Sequence, residues 1–97
     1  MKSQVTNKQH SLLELMRAIS LLENEQEALA FFTDLSTPAE LEAMSDRWEV
    51  VPLLRKGIPY RTIHERTGVS VTTITRVARC LGLGSGGYSL IANRLEK

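Results

Sequence analysis

Gly68 restricts this chain more than any other residue. It lies between two short stretches, YRTIHERT (60–67) and VTTITRVARCL (71–81), each reading as a helix. Two helices this close need a sharp turn, and glycine accepts the positive φ that such turns often demand. Ile63 falls on the inner side of the first helix, and Val69 is placed to plug the turn. Ser70 offers a side-chain oxygen to cap the second helix. In that helix Val71, Ile74, Val77, Ala78 and Leu81 recur at helical spacing, while Thr72, Thr73, Thr75, Arg76 and Arg79 are polar or basic. This is the order of parts in a helix-turn-helix, whose second helix fits a DNA major groove. One position departs from the usual pattern. His64 stands at a helix-contact site where small residues are commonest, so a shifted crossing angle is expected.

A major groove admits one α-helix, and each base pair displays a distinct donor and acceptor pattern there. Short threonines near the helix start let the backbone come close. Their hydroxyls reach base edges or phosphates, and their methyls suit a thymine methyl. Arg76 and Arg79 are long enough for bidentate contact with guanine edges or phosphates. Arg61 opens the first helix, which in this motif crosses the phosphate backbone. The candidate DNA-contacting set is therefore Arg61, Ser70, Val71, Thr72, Thr73, Thr75, Arg76 and Arg79. The plainer alternative is a helical hairpin whose threonines and arginines face only solvent.

The distribution of charge favours the DNA reading. The formal net charge is only +1, so the chain is no basic tail. Yet positions 55–79 hold six Lys/Arg (55, 56, 61, 66, 76, 79) against one acid, Glu65. Positions 23–49 hold eight acids (23, 25, 27, 34, 40, 42, 46, 49) against one cation, Arg47. A basic end beside an acidic middle suits a protein that turns one face to phosphates.

The 97 residues are the length of one domain, and a core this small often draws on dimerisation. A single cysteine, Cys80, excludes an intrachain disulfide and fits a reducing cytoplasm, the expected location. No run of 18 apolar residues exists, so no membrane span is expected. MKSQVTNKQH lacks the apolar core of a signal peptide and is expected to be a loose lead-in.

The rest of the chain reads as helices. In HSLLELMRAISLL (10–22), Leu12, Leu15, Met16, Ile19 and Leu22 form a stripe, with Leu13 and Leu21 off it. A helix apolar on more than one side needs partners on more than one side, which favours a packed dimer. Asn24 is placed to cap a second helix, which Glu25 and Glu27 suit and which packs through Ala28, Leu29, Phe31, Phe32 and Leu35. Thr37-Pro38-Ala39-Glu40 signals a third helix, with Leu41, Met44, Trp48 and Val51 at helical spacing. Pro52 predicts a kink or break, and Gly57 an end. Pro59 occupies the cap position before the fourth helix. After Leu81, GLGSGG predicts a flexible connector; it lacks the Lys-Ser/Thr and preceding strand of a phosphate-binding loop. YSLIANRL (88–95) is a short last helix with Leu90, Ile91 and Leu95 to bury.

From Leu35 to about Leu83 the chain resembles the Trp repressor superfamily, on the strength of DLSTPAELEAMSDRW, LLRKG and above all TTITR. TRVARCLGLGSGGYSLI resembles the YerC/YecD-type branch. The resemblance implies an all-α, Trp-repressor-like fold of about six helices forming an intertwined homodimer. Residues 1–97 would be one domain, with 8–57 and 85–97 dimerising and 60–81 projecting as the helix-turn-helix. In tryptophan-sensing members an Arg from the third helix and one from the recognition helix contact the corepressor; Arg47 and Arg76 match them. Those members then carry a Gly that leaves room for the indole and a Ser that helps bind the ligand amine. Here the positions are Val77 and Cys80. The resemblance therefore implies no tryptophan binding, leaving Arg47, Arg76, Val77 and Cys80 as a possible pocket for a different, unknown effector.

The expected function is a homodimeric, sequence-specific regulator of transcription, a repressor acting on double-stranded operator DNA without a cofactor. Two alternatives stand beside it: a regulator answering to another small molecule near Arg47 and Arg76, and a protein interaction module on the same fold. An enzyme is the weakest reading. His10, His64 and Cys80 make neither a nucleophile set nor a zinc site, so no catalytic residue or metal is expected.

Overall fold

The computed structural model describes residues 2–96, with side chains from residue 7 onward. They form six helices and, among the described residues, no strand: α1 (Lys2–Ile19), α2 (Glu25–Leu35), α3 (Pro38–Arg55), α4 (Tyr60–Thr67), α5 (Val71–Leu83) and α6 (Gly87–Leu95). The all-α expectation holds. Contacts divide the chain between Thr37 and Pro38 into one unit of α1 and α2 and another of α3 to α6.

In the first unit α1 begins at Lys2 rather than His10, so the expected lead-in is helical. That stretch contains no Pro or Gly, and a nucleated helix gains one hydrogen bond for each residue added. An apolar stripe governs packing, not whether a helix continues. The other end is shorter than expected. After Ile19 the amides of Leu21 and Leu22 reach back only three residues, to Ala18 and Ile19, at 3.1 Å each. Asn24 caps α2: its Oδ1 accepts from the Glu27 amide at 2.9 Å. Phe31 and Phe32 meet edge to face, with ring centroids 5.7 Å apart. No described side chain of this unit is buried. Leu12, Leu13, Leu21 and Leu29 are 58%, 62%, 73% and 67% exposed.

The second unit holds the core. Val50 and Val51 of α3, Ile63 of α4, Val69 of the turn, Ile74 and Val77 of α5 and Ala92 of α6 are buried together. Trp48, Leu53, Leu54, Ile58, Leu81 and Tyr88 pack around them. Pro52 does not break α3, which runs unbroken to Arg55. Proline removes the amide that would bond the Trp48 carbonyl. The fully buried Val50 and Val51 and the half-buried Leu53 and Leu54 fix the helix on both sides of that gap. α3 ends in a Schellman turn: Gly57, at φ +78°, bonds the Leu54 carbonyl, and the Ile58 amide bonds Leu53 at 3.2 Å. Past it, Pro59 starts α4 without a side-chain cap bond.

At the far end, α5 continues through Gly82 to Leu83, so the connector is shorter than the glycine content suggested. Gly84 ends the helix by bonding the Cys80 carbonyl at 2.8 Å, and a Cβ at Gly84 would collide with that carbonyl. On α6 the inward residues are Ala92 and Tyr88. Leu90, Ile91 and Leu95, expected to be buried, are 50%, 43% and 70% exposed. One turn of helix separates Tyr88 from Ala92, and that face alone meets this unit's core. Arg55 ties α3 to α6 through a 2.6 Å hydrogen bond to Asn93 Oδ1, with Glu96 4.0 Å away.

The two sides of α5 make unequal demands on stability. Ile74→Ala should cost about 2–5 kcal/mol in urea denaturation, as a cavity in a closed core does. Val71→Ala, at a residue 48% exposed, should stay within about 0.5 kcal/mol.

Candidate nucleic-acid interface

The helix-turn-helix is assembled from both sides of its turn. Ile63, Val69, Ile74 and Val77, at most 4% exposed, hold α4 against α5. Gly68 takes φ +78°, and its amide bonds the His64 carbonyl at 2.8 Å to end α4. Two α4 side chains then serve the turn. The Thr67 hydroxyl donates to the Ile63 carbonyl at 2.7 Å and accepts from the Val69 amide at 3.0 Å. His64 Nδ1 lies 2.7 Å from the Val69 carbonyl. A carbonyl only accepts, so the proton of that bond sits on Nδ1.

His64 therefore does not wedge between the helices. The residue is exposed and its Nδ1 is turned to the turn backbone. Neither His64 nor Thr67 was among the candidate residues. The signal that pointed to them was present: a donor and a hydroxyl within one helical turn of a glycine-valine turn, where backbone groups run short of partners.

α5 begins as expected. Ser70 Oγ accepts from the Thr73 amide at 3.1 Å and donates to Thr73 Oγ1 at 3.0 Å. Of the candidate residues, these two are engaged with each other in the cap, and Thr73 is half-buried. Val71, Thr72, Thr75, Arg76 and Arg79 line one open depression of about 350 Å³ along the outer side of α5. Arg61 is exposed on the first turn of α4, and Arg66 is exposed near its end. Among the described residues, Arg61, Arg66, Arg76 and Arg79 form no ion pair, whereas Arg55 is occupied by α6. The outer side of α5 thus presents two unpaired guanidiniums, two hydroxyls and a branched apolar group around one concavity.

The second candidate set is placed on α3 and α5. Arg76 lies along the α5 depression, and Cys80 along a separate one of about 400 Å³ formed with Gly84–Tyr88. Val77 is fully buried among core valines and isoleucines, and Arg47 is half-buried on α3.

A family profile described as Trp repressor protein matches residues 10–96. This chain belongs to the Trp repressor family. It is 37% identical over 84 residues to an uncharacterised Bacillus subtilis protein, YerC, covering 87% of this chain and 81% of that one. The fold matches the crystal structure of a provisionally assigned Trp repressor from Staphylococcus aureus, with a TM-score of 0.85 and 39% identity. That match covers 90% of this chain and 87% of the other. A TrpR-like protein from Eubacterium eligens gives a TM-score of 0.84 at 39% identity, over 90% of each chain. The resemblance to the YerC type stands, and with it a helix-turn-helix of the DNA-binding regulator class. No described helix is long and apolar enough to cross a membrane.

Val77, which the resemblance sets where indole-binding members would leave space, is fully buried in the core. Isothermal calorimetry with millimolar tryptophan should therefore show no saturable heat. Saturable uptake would mean the core opens around Val77.

Proposed function

We propose that this Trp repressor family protein is a homodimeric, sequence-specific DNA-binding repressor that works in the cytoplasm without tryptophan. The observation that carries the reading is the outer side of α5, where Thr72, Thr75, Arg76 and Arg79 share one concavity and neither arginine has an acidic partner among the described residues. Guanidiniums left unpaired beside short hydroxyl side chains suit phosphate and base edges together. Thr72, Thr75 and Arg76 read bases, with Val71 against thymine methyls, and Arg79 and Arg61 bind phosphates. Ser70 and Thr73 serve mainly by fixing the start of the helix.

The dimer is supported by what the first unit lacks. With no buried side chain of its own among the described residues, it offers leucines to a second chain, as does α6 through Leu90, Ile91 and Leu95. Residues 8–57 and 85–97 would then form the paired body, and 60–81 the reading head. A two-fold axis places two heads on half-sites about one helical turn apart.

Selection of bound sequences from random duplex DNA tests this directly. An enriched, roughly palindromic motif is expected, and an unenriched pool would end the proposal. Arg76→Ala should weaken binding to the selected site by about 1–3 kcal/mol and relax preference at one position. Arg79→Ala should weaken all sequences and make the salt slope shallower by about 1 unit. Gel filtration at the mass of one chain would remove the dimer.

A further inference from the structure

We infer that His64 is a positioning residue for DNA readout: by holding the Val69 carbonyl it sets the start of the recognition helix. The inference rests on the DNA-binding reading of α5 given above. Val69 is 4% exposed, so its backbone is shielded from water and its polar groups need protein partners. Both partners come from side chains of α4: Thr67 Oγ1 for the amide and His64 Nδ1 for the carbonyl.

The carbonyl matters more for function because of what it is bonded to. Val69 C=O and Ser70 N–H belong to one planar peptide, so fixing the oxygen fixes the plane from which Ser70 departs. That plane fixes ψ of Val69 and aims the N–Cα bond of Ser70, whose own φ of −66° and ψ of 150° are the extended geometry a cap requires. Its hydroxyl meets the Thr73 amide only from that orientation, and the next residues, Val71 and Thr72, begin the depression on α5. The chain of constraint runs from the His64 imidazole through one peptide plane to the end of the helix that enters the groove. His64 itself needs no contact with DNA for this role.

The side-chain chemistry gives a selective test. The amide nitrogen of asparagine falls close to the place of imidazole Nδ1, and that of glutamine close to Nε2. His64→Asn should therefore keep the bond to Val69, while His64→Gln and His64→Ala should lose it. Binding of the four proteins would be measured on the DNA motif selected by the unaltered protein and on random-sequence duplex of equal length. His64→Gln and His64→Ala should lose about two- to tenfold in affinity for the selected motif, the range one net hydrogen bond spans, with little change on random duplex. His64→Asn should restore most of the loss. Nitrogen-15 spectra of the unaltered protein should show the neutral ring as the Nδ1–H tautomer.

An Nε2–H tautomer would overturn the inference whatever the variants do, including the case in which Gln and Ala fail to fold. Equal binding by Asn and Gln variants, or equal losses on motif and random duplex, would overturn it as well. If the unaltered protein selects no motif, the DNA-binding reading falls and takes this inference with it. Failure of the inference alone leaves a motif that all four proteins bind alike.

Discussion

Val69 sits in the turn between α4 and α5, and its burial is the constraint on which the rest of the helix-turn-helix depends. An isopropyl group placed there excludes water from the turn and joins Ile63, Ile74 and Val77 in one apolar contact. Full burial of a side chain of this size contributes about 1.5–3 kcal/mol, but it also strips solvent from the adjoining backbone. Three different solutions meet that second demand within five residues. Gly68 turns its amide back to α4, the Thr67 hydroxyl takes the next amide, and the His64 ring takes the carbonyl. Only then can Ser70 stand in the right place to start α5.

The two units handle their apolar residues in opposite ways. In α3 to α6 every fully buried residue lies on a side that another helix of the same unit covers, and Arg55 locks α6 to the end of α3. In α1 and α2 the leucines have nothing in their own unit large enough to cover them. Area removed from water drives packing, so a helix pair left this bare gains most from covering that lies outside it. α6 belongs to both regimes. Ala92 and Tyr88 complete the inner core, while Leu90, Ile91 and Leu95 are turned away from it.

What the sequence showed, and what it hid, divides along the same physical line. Local rules worked where one residue type has one reason to be present: Gly68 and Gly57 at positive φ, Asn24 and Ser70 as caps, and Ile63, Ile74 and Val77 turned inward. They worked less well where a residue's role depends on neighbours elsewhere in the chain. Pro52 reads as a kink or a break, yet the helix runs on through it beside buried valines. Val50 lay outside the expected stripe of α3, yet it is fully buried. Gly82 looks like part of a flexible connector, although α5 simply passes through it. At the candidate interface, Val71, Thr72, Thr75, Arg76 and Arg79 are gathered as the helical period implies. The engagement of Ser70 and Thr73 with each other, and the work of His64 and Thr67 in the turn, depend on rotamers that periodicity does not report.

Folding and display use different residues on α5. Ile74 and Val77 are sealed in the core, whereas Thr72, Thr75, Arg76 and Arg79 are exposed. Substitutions at such outward positions usually shift stability by no more than about 0.5 kcal/mol. Stability therefore leaves the outer row to whatever the helix must recognise, while the hidden row keeps the rod in place.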